Sequence, residues 1–199
     1  TDAGTYTTGK NIVVTDAASI SQLTAIDSAN VGGTLTYTTV SDTALNLATN
    51  TGGYVDAGKN VVVTGAATVA QLTTIDGLNT NGALTYTAIT DATSSLVNAD
   101  GLGLSGYVTG SVAVTVNTTS TIAQLSALDQ ATTGTLTYTS ITDTASNLVT
   151  DAGTYVVASH DVTVTDAATI AQLTAIDGLA NTVTYTTVTD TALNLATDA

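Results

Sequence analysis

The chain has 199 residues and a formal net charge of −14, with no Cys, Met, Phe, Trp or Pro. A chain this acidic lacks the clustered Lys and Arg that bind phosphates, so we expect no nucleic-acid partner. The same charge disfavours anionic membrane surfaces, and no apolar run approaches the roughly 18 residues of a membrane span, so we expect no membrane insertion. The lack of Cys excludes a disulfide framework and thiolate chemistry, while 43% hydrophobic residues are enough for a core.

Two motifs recur four times along the chain, which is the pattern of a tandem repeat of about 49 residues. The first motif reads SQLTAID at 21–27, AQLTTID at 70–76, AQLSALD at 123–129 and AQLTAID at 171–177. The second reads TLTYTTVSD at 34–42, ALTYTAITD at 83–91, TLTYTSITD at 135–143 and TVTYTTVTD at 182–190. We therefore predict a single repeat array, with repeats at approximately 1–49, 50–98, 99–149 and 150–199.

Each repeat opens with a strand and a helix. The segments VVVT at 61–64 and VTVT at 162–165 have the period-2 pattern of a strand with one face buried, which is clearest where Val and Thr alternate in VTVT. Apolar residues then recur every three positions, as at Ile170, Leu173 and Ile176, which indicates a helix. The expected N-caps are Asp16, Gly65, Asn117 and Asp166, and the expected C-caps are Gly77 and Gly178.

The second half of each repeat is another strand followed by a shorter helix. In the LTYT strand, Leu and Tyr point to one side and the two Thr to the other. This places four Tyr in the core: Tyr37, Tyr86, Tyr138 and Tyr185. The following helix has one or two turns and an acidic N-cap, which is Asp42, Asp91, Asp143 or Asp190.

These elements predict an α/β solenoid. Strand–helix coils of about 24 residues, two per repeat, would stack their strands into one parallel β-sheet. The alternative is an all-β helix of similar coil length, in which the Ala-rich segments are turns instead of helices.

The inventory of reactive groups argues against an enzyme. His160 is the single His and occupies the repeat position held by Lys10 and Lys59, where a variable, exposed loop residue is expected. The chain has no Cys and no Glu, and no G-x-x-x-x-G-K-[ST] loop or paired-His motif. We expect no catalytic residues and no cofactor.

One Asp near the end of each longer helix is the weak candidate for a Ca²⁺ site. In a solenoid these residues would form a column spaced by roughly 10 Å, with a repulsion of about 0.4 kcal/mol per pair in water. The column therefore allows a Ca²⁺ bridge without requiring one. Its members are Asp27, Asp76, Asp129 and Asp177.

The Thr residues of the strands form the candidate binding face. Thr is a good strand former on a solvated face, and flat T-x-T arrays also resemble the ice-binding faces of some β-solenoid proteins. The candidate residues are Thr36, Thr38, Thr85, Thr87, Thr137, Thr139, Thr163, Thr165, Thr184 and Thr186.

The motifs VTVTDAATIAQLTAID and LTYTSITDTASNL resemble tandem repeats of very large secreted or surface proteins of bacteria, including cyanobacteria, of the adhesin-, haemagglutinin- or hemolysin-like kind. The resemblance implies a module at the cell surface or outside the cell: a stalk, surface-layer unit or filament subunit. Ordinary repeat sequence at both ends, with no cap, predicts head-to-tail association with itself or with flanking repeats. The alternative is a binding or adhesion module whose Thr face or Asp loops engage ice, glycan or Ca²⁺.

Overall fold

Short helices alternate with parallel strands along the chain in a computed structural model that describes residues 4–98, 104–151 and 154–198. The chain divides into two compact units, Thr1–Ile89 and Thr90–Ala199. The mixed α/β class predicted from the sequence is confirmed. The all-β alternative is wrong, because the Ala-rich segments are helical.

The first unit contains four helices and, counting a strand that extends past its boundary, seven strands within the described residues. They are α1 (Gly4–Thr7), β1 (Ile12–Val13), α2 (Ile20–Ala29), β2 (Leu35–Thr36), β3 (Thr39–Thr43), α3 (Ala44–Thr49), β4 (Asn60–Thr64), β5 (Ala66–Ala67), α4 (Val69–Leu78), β6 (Leu84–Thr85) and β7 (Ala88–Asp91).

The second unit continues the same alternation. Its elements are α5 (Thr93–Leu96), β8 (Ala113–Val116), α6 (Ile122–Ala131), β9 (Leu136–Thr137), β10 (Ser140–Asp143), α7 (Ala145–Asp151), β11 (Asp161–Val164), α8 (Ile170–Asp177), β12 (Thr182–Thr184) and α9 (Ala192–Thr197).

The strand pairs within each unit are parallel, and paired residues lie 21 to 23 positions apart in the chain. In the first unit β1 pairs with β2, β4 lies between β3 and β6, and β5 pairs with β7. In the second unit β8 pairs with β9, and β11 lies between β10 and β12. The predicted parallel pairing is confirmed, at an interval slightly shorter than the expected value of about 24 residues. Each strand together with the helix that follows it is called a coil.

The expected continuous sheet is instead divided into several sheets. The cause is visible in the LTYT motif, which is not one strand: β2 ends at Thr36, the chain bends at Thr38, and β3 begins at Thr39. As a result Leu35 pairs with Ile12, whereas Val40 pairs with Val61 in a different sheet.

The longer helices begin three or four residues later than the sequence suggested. Thr169 is the N-cap of α8: its hydroxyl accepts from the backbone N–H of Gln172, while the Gln172 side chain accepts from the backbone N–H of Thr169. This reciprocal capping box satisfies two N–H groups that a helix terminus otherwise leaves unpaired. The same box forms at Ser19, Thr68 and Thr121. The expected N-caps Asp16, Gly65, Asn117 and Asp166 are therefore wrong.

One of the two C-cap predictions is confirmed and the other is wrong. Gly178 is the C-cap of α8, as expected. Gly77 lies inside α4, which ends at Leu78 with Asn79 as its C-cap. The shorter helices have one to two turns, as predicted, but their N-caps follow the expected Asp by one residue, as with Thr43 after Asp42.

Each unit has its own core of Leu, Ile and Val. Leu23, Leu72 and Ile89 have no exposed surface in the first unit, and neither do Leu125 and Ile141 in the second. Burying one such side chain contributes about 1.5–3 kcal/mol. The four motif tyrosines differ in burial. Tyr37 is buried, Tyr86 and Tyr138 are half-buried, and Tyr185 is exposed.

Among the described residues, the helices are all too short or too polar to cross a lipid bilayer.

Candidate functional site

The ten candidate Thr are all exposed. They do not share one strand geometry, however. Thr36 lies in β2, whereas Thr38 lies at the bend that follows it. In strand register Thr163 neighbours Thr184, but Thr36 neighbours Val13 and Thr85 neighbours Val62. The exposed Thr therefore alternate with apolar residues in the first unit.

The four Ca²⁺ candidates, Asp27, Asp76, Asp129 and Asp177, are exposed. Within the described residues the acidic and His side chains do not gather in groups of three or more that would hold a metal ion. Asp129 has a contact of another kind, because its Oδ2 lies 3.5 Å from the hydroxyl of Tyr155.

The Asp of the second motif connects two helices from successive coils. One oxygen of Asp143 accepts from the backbone N–H of Ile122, 3.0 Å away and 21 residues earlier, at the first residue of α6. The other oxygen accepts from the backbone of Thr144 and the side chain of Asn147, next to α7. Asp42 does the same with Ile20, Thr43 and Asn46, and Asp190 with Ile170, Thr191 and Asn194.

The hydrogen bonds around Asp190 favour the ionised form of its carboxylate. Hydrogen bonds from the backbone of Thr191, the side chain of Asn194 and the backbone of Ile170 hold the pKa of Asp190 below its ordinary value. An ionised carboxylate at a helix N-terminus also complements the helix dipole. The carboxylate is therefore an acceptor that links coils.

The first motif region provides the same link in the other half-repeat. Asp166 accepts from the backbone N–H of Ala145, at the start of α7, at 2.7 Å. The hydroxyl of Thr118 accepts from the backbone N–H of Thr93, at the start of α5, at 2.9 Å. The sequence suggested that Asp166 caps its own helix. It caps the helix of the preceding coil instead. The sequence feature that could have indicated this role is that Asp occupies matching positions in both half-repeats.

A cluster of two tyrosines and one basic side chain is built once in each unit. The Tyr138 hydroxyl donates to the backbone oxygen of Tyr155 at 3.0 Å, and the two rings meet edge to face at 6.3 Å. The imidazole of His160 stacks on Tyr138, with ring centres 4.2 Å apart. His160 lies in the loop just before β11, as expected, but it is half-buried instead of exposed.

In the first unit the equivalent cluster uses Lys59. The Tyr37 hydroxyl donates to the backbone oxygen of Tyr54 at 2.9 Å, with ring centres 6.2 Å apart. The ammonium of Lys59 lies 4.5 Å from the centre of the Tyr37 ring and donates to the Tyr37 backbone oxygen. Such aromatic pairs are worth about 0.5–1.5 kcal/mol beyond the area that they bury.

Burial changes the acidity of these tyrosines. It raises the pKa of Tyr138 to about 12, and the nearby Asp151 carboxylate adds to the effect. Burial likewise raises the pKa of Tyr37, with the Asp56 charge as the next cause. Both phenols are therefore held in the neutral form that donates the hydrogen bond.

We call each cluster, together with its strand pair, a repeat junction. The junction of the first unit comprises β3, β4, Tyr37, Tyr54 and Lys59. The junction of the second unit comprises β10, β11, Tyr138, Tyr155 and His160. Both connect the last strand of one repeat with the first strand of the next through parallel backbone hydrogen bonds. The arrangement is suited to docking one repeat on another.

Comparison with known proteins found no matching family model, no matching curated protein and no matching solved structure.

Proposed function

We propose that this chain is a non-enzymatic structural repeat module of an extracellular bacterial assembly, such as a stalk, surface-layer unit or filament subunit, and that it associates end to end. The observation that carries the proposal is the repeat junction. It is built twice, once in each unit, with the same strand pairing and the same contacts between its two tyrosines, from repeats whose sequences differ in detail.

A junction that recurs in this way supports a module that extends by addition. The Tyr138 bond to the backbone of Tyr155 does not depend on the side chain of its acceptor, and neither does the bond from Tyr37 to Tyr54. The basic position accepts either Lys59 or His160. Each added repeat therefore docks with the chemistry of the one before, as in linear repeat proteins.

The contacts of the polar side chains support a role that is not enzymatic. The single His packs its ring on a tyrosine, and the Asp143 carboxylate accepts three hydrogen bonds, one from Ile122 in the preceding coil and two from the adjacent Thr144 and Asn147. A carboxylate with its acceptor sites occupied in this way holds the fold together. A general base instead needs a free lone pair within reach of a substrate proton.

Analytical ultracentrifugation of the 199-residue chain tests the proposal. We expect the weight-average mass to rise with concentration, and electron microscopy of the concentrated sample to show linear assemblies. A sedimentation coefficient that stays monomeric up to high micromolar concentration would overturn the end-to-end assembly.

The exposure of all ten candidate Thr favours a second candidate function, a binding or adhesion module for ice, glycan or Ca²⁺. Thermal hysteresis, a glycan array and calorimetry with Ca²⁺ would detect each ligand class. We expect none of the three to give a signal if the module is purely structural. In that case a chelator should also leave the melting temperature unchanged, whereas a drop of more than about 10 °C, a large fraction of typical stability, would indicate bound Ca²⁺.

A further inference from the structure

The last strand segment in the second unit has one edge without a backbone partner among the described residues. Residues 187–190 occupy the repeat position of β10 and form a single bridge, between Ala168 and Val188. The backbone of Thr187 accepts from Ala168, and the backbone of Thr189 donates to Ala168. Both bonds lie on the same side of the segment.

At the repeat junction of the second unit the corresponding edge is fully used. The backbone oxygens of Thr139 and Asp143 accept from Asp161 and Thr165 of the next repeat, at 3.0 and 2.9 Å. By repeat position, Thr186 and Asp190 hold the equivalent oxygens. This open edge is therefore shaped for one more parallel strand.

The apolar side chains beside this edge are also uncovered. Leu195 in α9 is 44% exposed, although its counterpart Leu148 in α7 has no exposed surface. Ala192 is exposed and Val188 half-buried, where their counterparts Ala145 and Ile141 are buried.

A cleft of about 380 Å³ opens at the same place, between α8 and the last strand segment. Its lining includes Asp177, Val183 and Tyr185. At the junction of the second unit the counterparts of Asp177 and Tyr185 are Asp129 and Tyr138, and both contact Tyr155. The cleft therefore has the surroundings of a tyrosine from a following repeat.

The first coil of the first unit carries the complementary half of a junction. Tyr6 has the repeat position of Tyr155 and is 79% exposed. The backbone N–H groups of Ile12 and Val14 donate to Thr34 and Thr36, so β1 uses one edge and leaves the other without a partner in these bonds. Asp16 has the position of Asp166, which caps the preceding helix, and Asp16 is exposed.

We propose that a second copy of this chain docks its first coil on the open edge of the last coil and builds a further repeat junction between the two molecules. β1 of one copy pairs in parallel with residues 187–190 of the other, placing Ile12 opposite Val188. Tyr6 enters the cleft beside Tyr185, and the Asp16 carboxylate caps the backbone N–H of Ala192. This inference rests on the proposed function and specifies the residues of its interface.

Two leucines two positions apart in α9 give a matched test. Leu195→Lys puts a charge at the position that is buried in the internal junctions. Leu193→Lys adds the same charge at a position that stays exposed, because its counterpart Leu45 is 65% exposed even beside a following repeat. We expect Leu195→Lys to raise the dissociation constant of self-association at least tenfold in sedimentation, and Leu193→Lys to leave it within twofold.

Asp16→Ala tests the other half of the interface, with Asp76→Ala as a control that removes the same charge from an exposed helix position. Asp16→Ala should weaken association several-fold and Asp76→Ala should not. Circular dichroism melts of all four variants establish that the fold is intact.

The outcomes separate the two proposals. If the wild-type chain is monomeric, the proposed function fails and this interface fails with it. If the wild type associates and Leu195→Lys associates equally well, the interface is wrong and end-to-end assembly through another surface stands. If Leu193→Lys is as damaging as Leu195→Lys, the contact lies on the outer face of α9 and the strand-edge interface is overturned.

Discussion

The backbone N–H of Ile122 donates a 3.0 Å hydrogen bond to the carboxylate of Asp143, which lies 21 residues later in the chain. A helix terminus normally finds its capping acceptor within its own turn. Here α6 has that local cap at Thr121 and a second acceptor from the following coil. The carboxylate therefore makes the start of one helix depend on the correct placement of the next coil.

Removing this carboxylate should destabilise the second unit. We expect Asp143→Ala to lower the free energy of unfolding by about 1–3 kcal/mol, because Ile122, Thr144 and Asn147 all lose their acceptor in a partly buried setting. Urea unfolding followed by circular dichroism gives the value. Asp76→Ala, at an exposed position, should change stability by less than about 0.5 kcal/mol. Equal effects of the two variants would show that the link between coils is not stabilising.

The alternation of Tyr and Thr in the second motif predicts that substitutions at neighbouring positions lower the free energy of unfolding by very different amounts. Tyr37→Ala should cost about 3–5 kcal/mol, because the ring is buried and its hydroxyl bonds to the Tyr54 backbone. Thr36→Ala should cost well under about 1 kcal/mol, since Thr36 is exposed. Denaturant melts compare the two variants. A larger loss for Thr36→Ala would contradict the observed orientation of the motif.

Two glycines of the first unit should respond in opposite directions to the same substitution. A Cβ at Gly82 would lie 1.9 Å from the backbone oxygen of Lys59, whereas a Cβ at Gly77 meets nothing within 4 Å. Gly82→Ala forces backbone movement, so we expect a loss above about 2 kcal/mol, which is large for a single substitution. Gly77→Ala should raise stability by about 0.5–1 kcal/mol, because Ala favours the helix. Thermal melts decide the point, and a tolerated Gly82→Ala would rule out this close approach.

Alkaline pH should unfold the second unit through its tyrosines. The folded pKa of Tyr138, about 12, lies above the ordinary value of 10.0, so the folded state holds the proton more tightly. The resulting stability is complete below pH 10 and is lost as the pH rises through 12. We expect the free energy of unfolding to fall over that interval, and to fall less steeply in Tyr138→Phe, which cannot ionise. Equal slopes would mean that Tyr138 does not contribute to the alkaline transition.

Local sequence was sufficient for the order of elements and for the orientation of Thr. The stripe at Ile170, Leu173 and Ile176 lies on α8, and all ten candidate Thr are exposed, because period and β-propensity act over a few residues. The same local rules contained the capping box at Thr169 and Gln172, which the expected N-cap at Asp166 overlooked. The spacing of the two motifs also predicted parallel pairing at an almost constant interval.

Tertiary structure decided the features that depend on a neighbouring coil. Asp166 caps the helix at Ala145 because the coil register, and not the local sequence, brings its carboxylate to that N–H. Tyr138 and Tyr185 occupy the same position in their repeats. Tyr138 is half-buried because Tyr155 and His160 from the following repeat cover it, whereas Tyr185 is 48% exposed beside the open edge. Burial in a repeat protein is a property of the contact between repeats, so identical local sequence gives different environments.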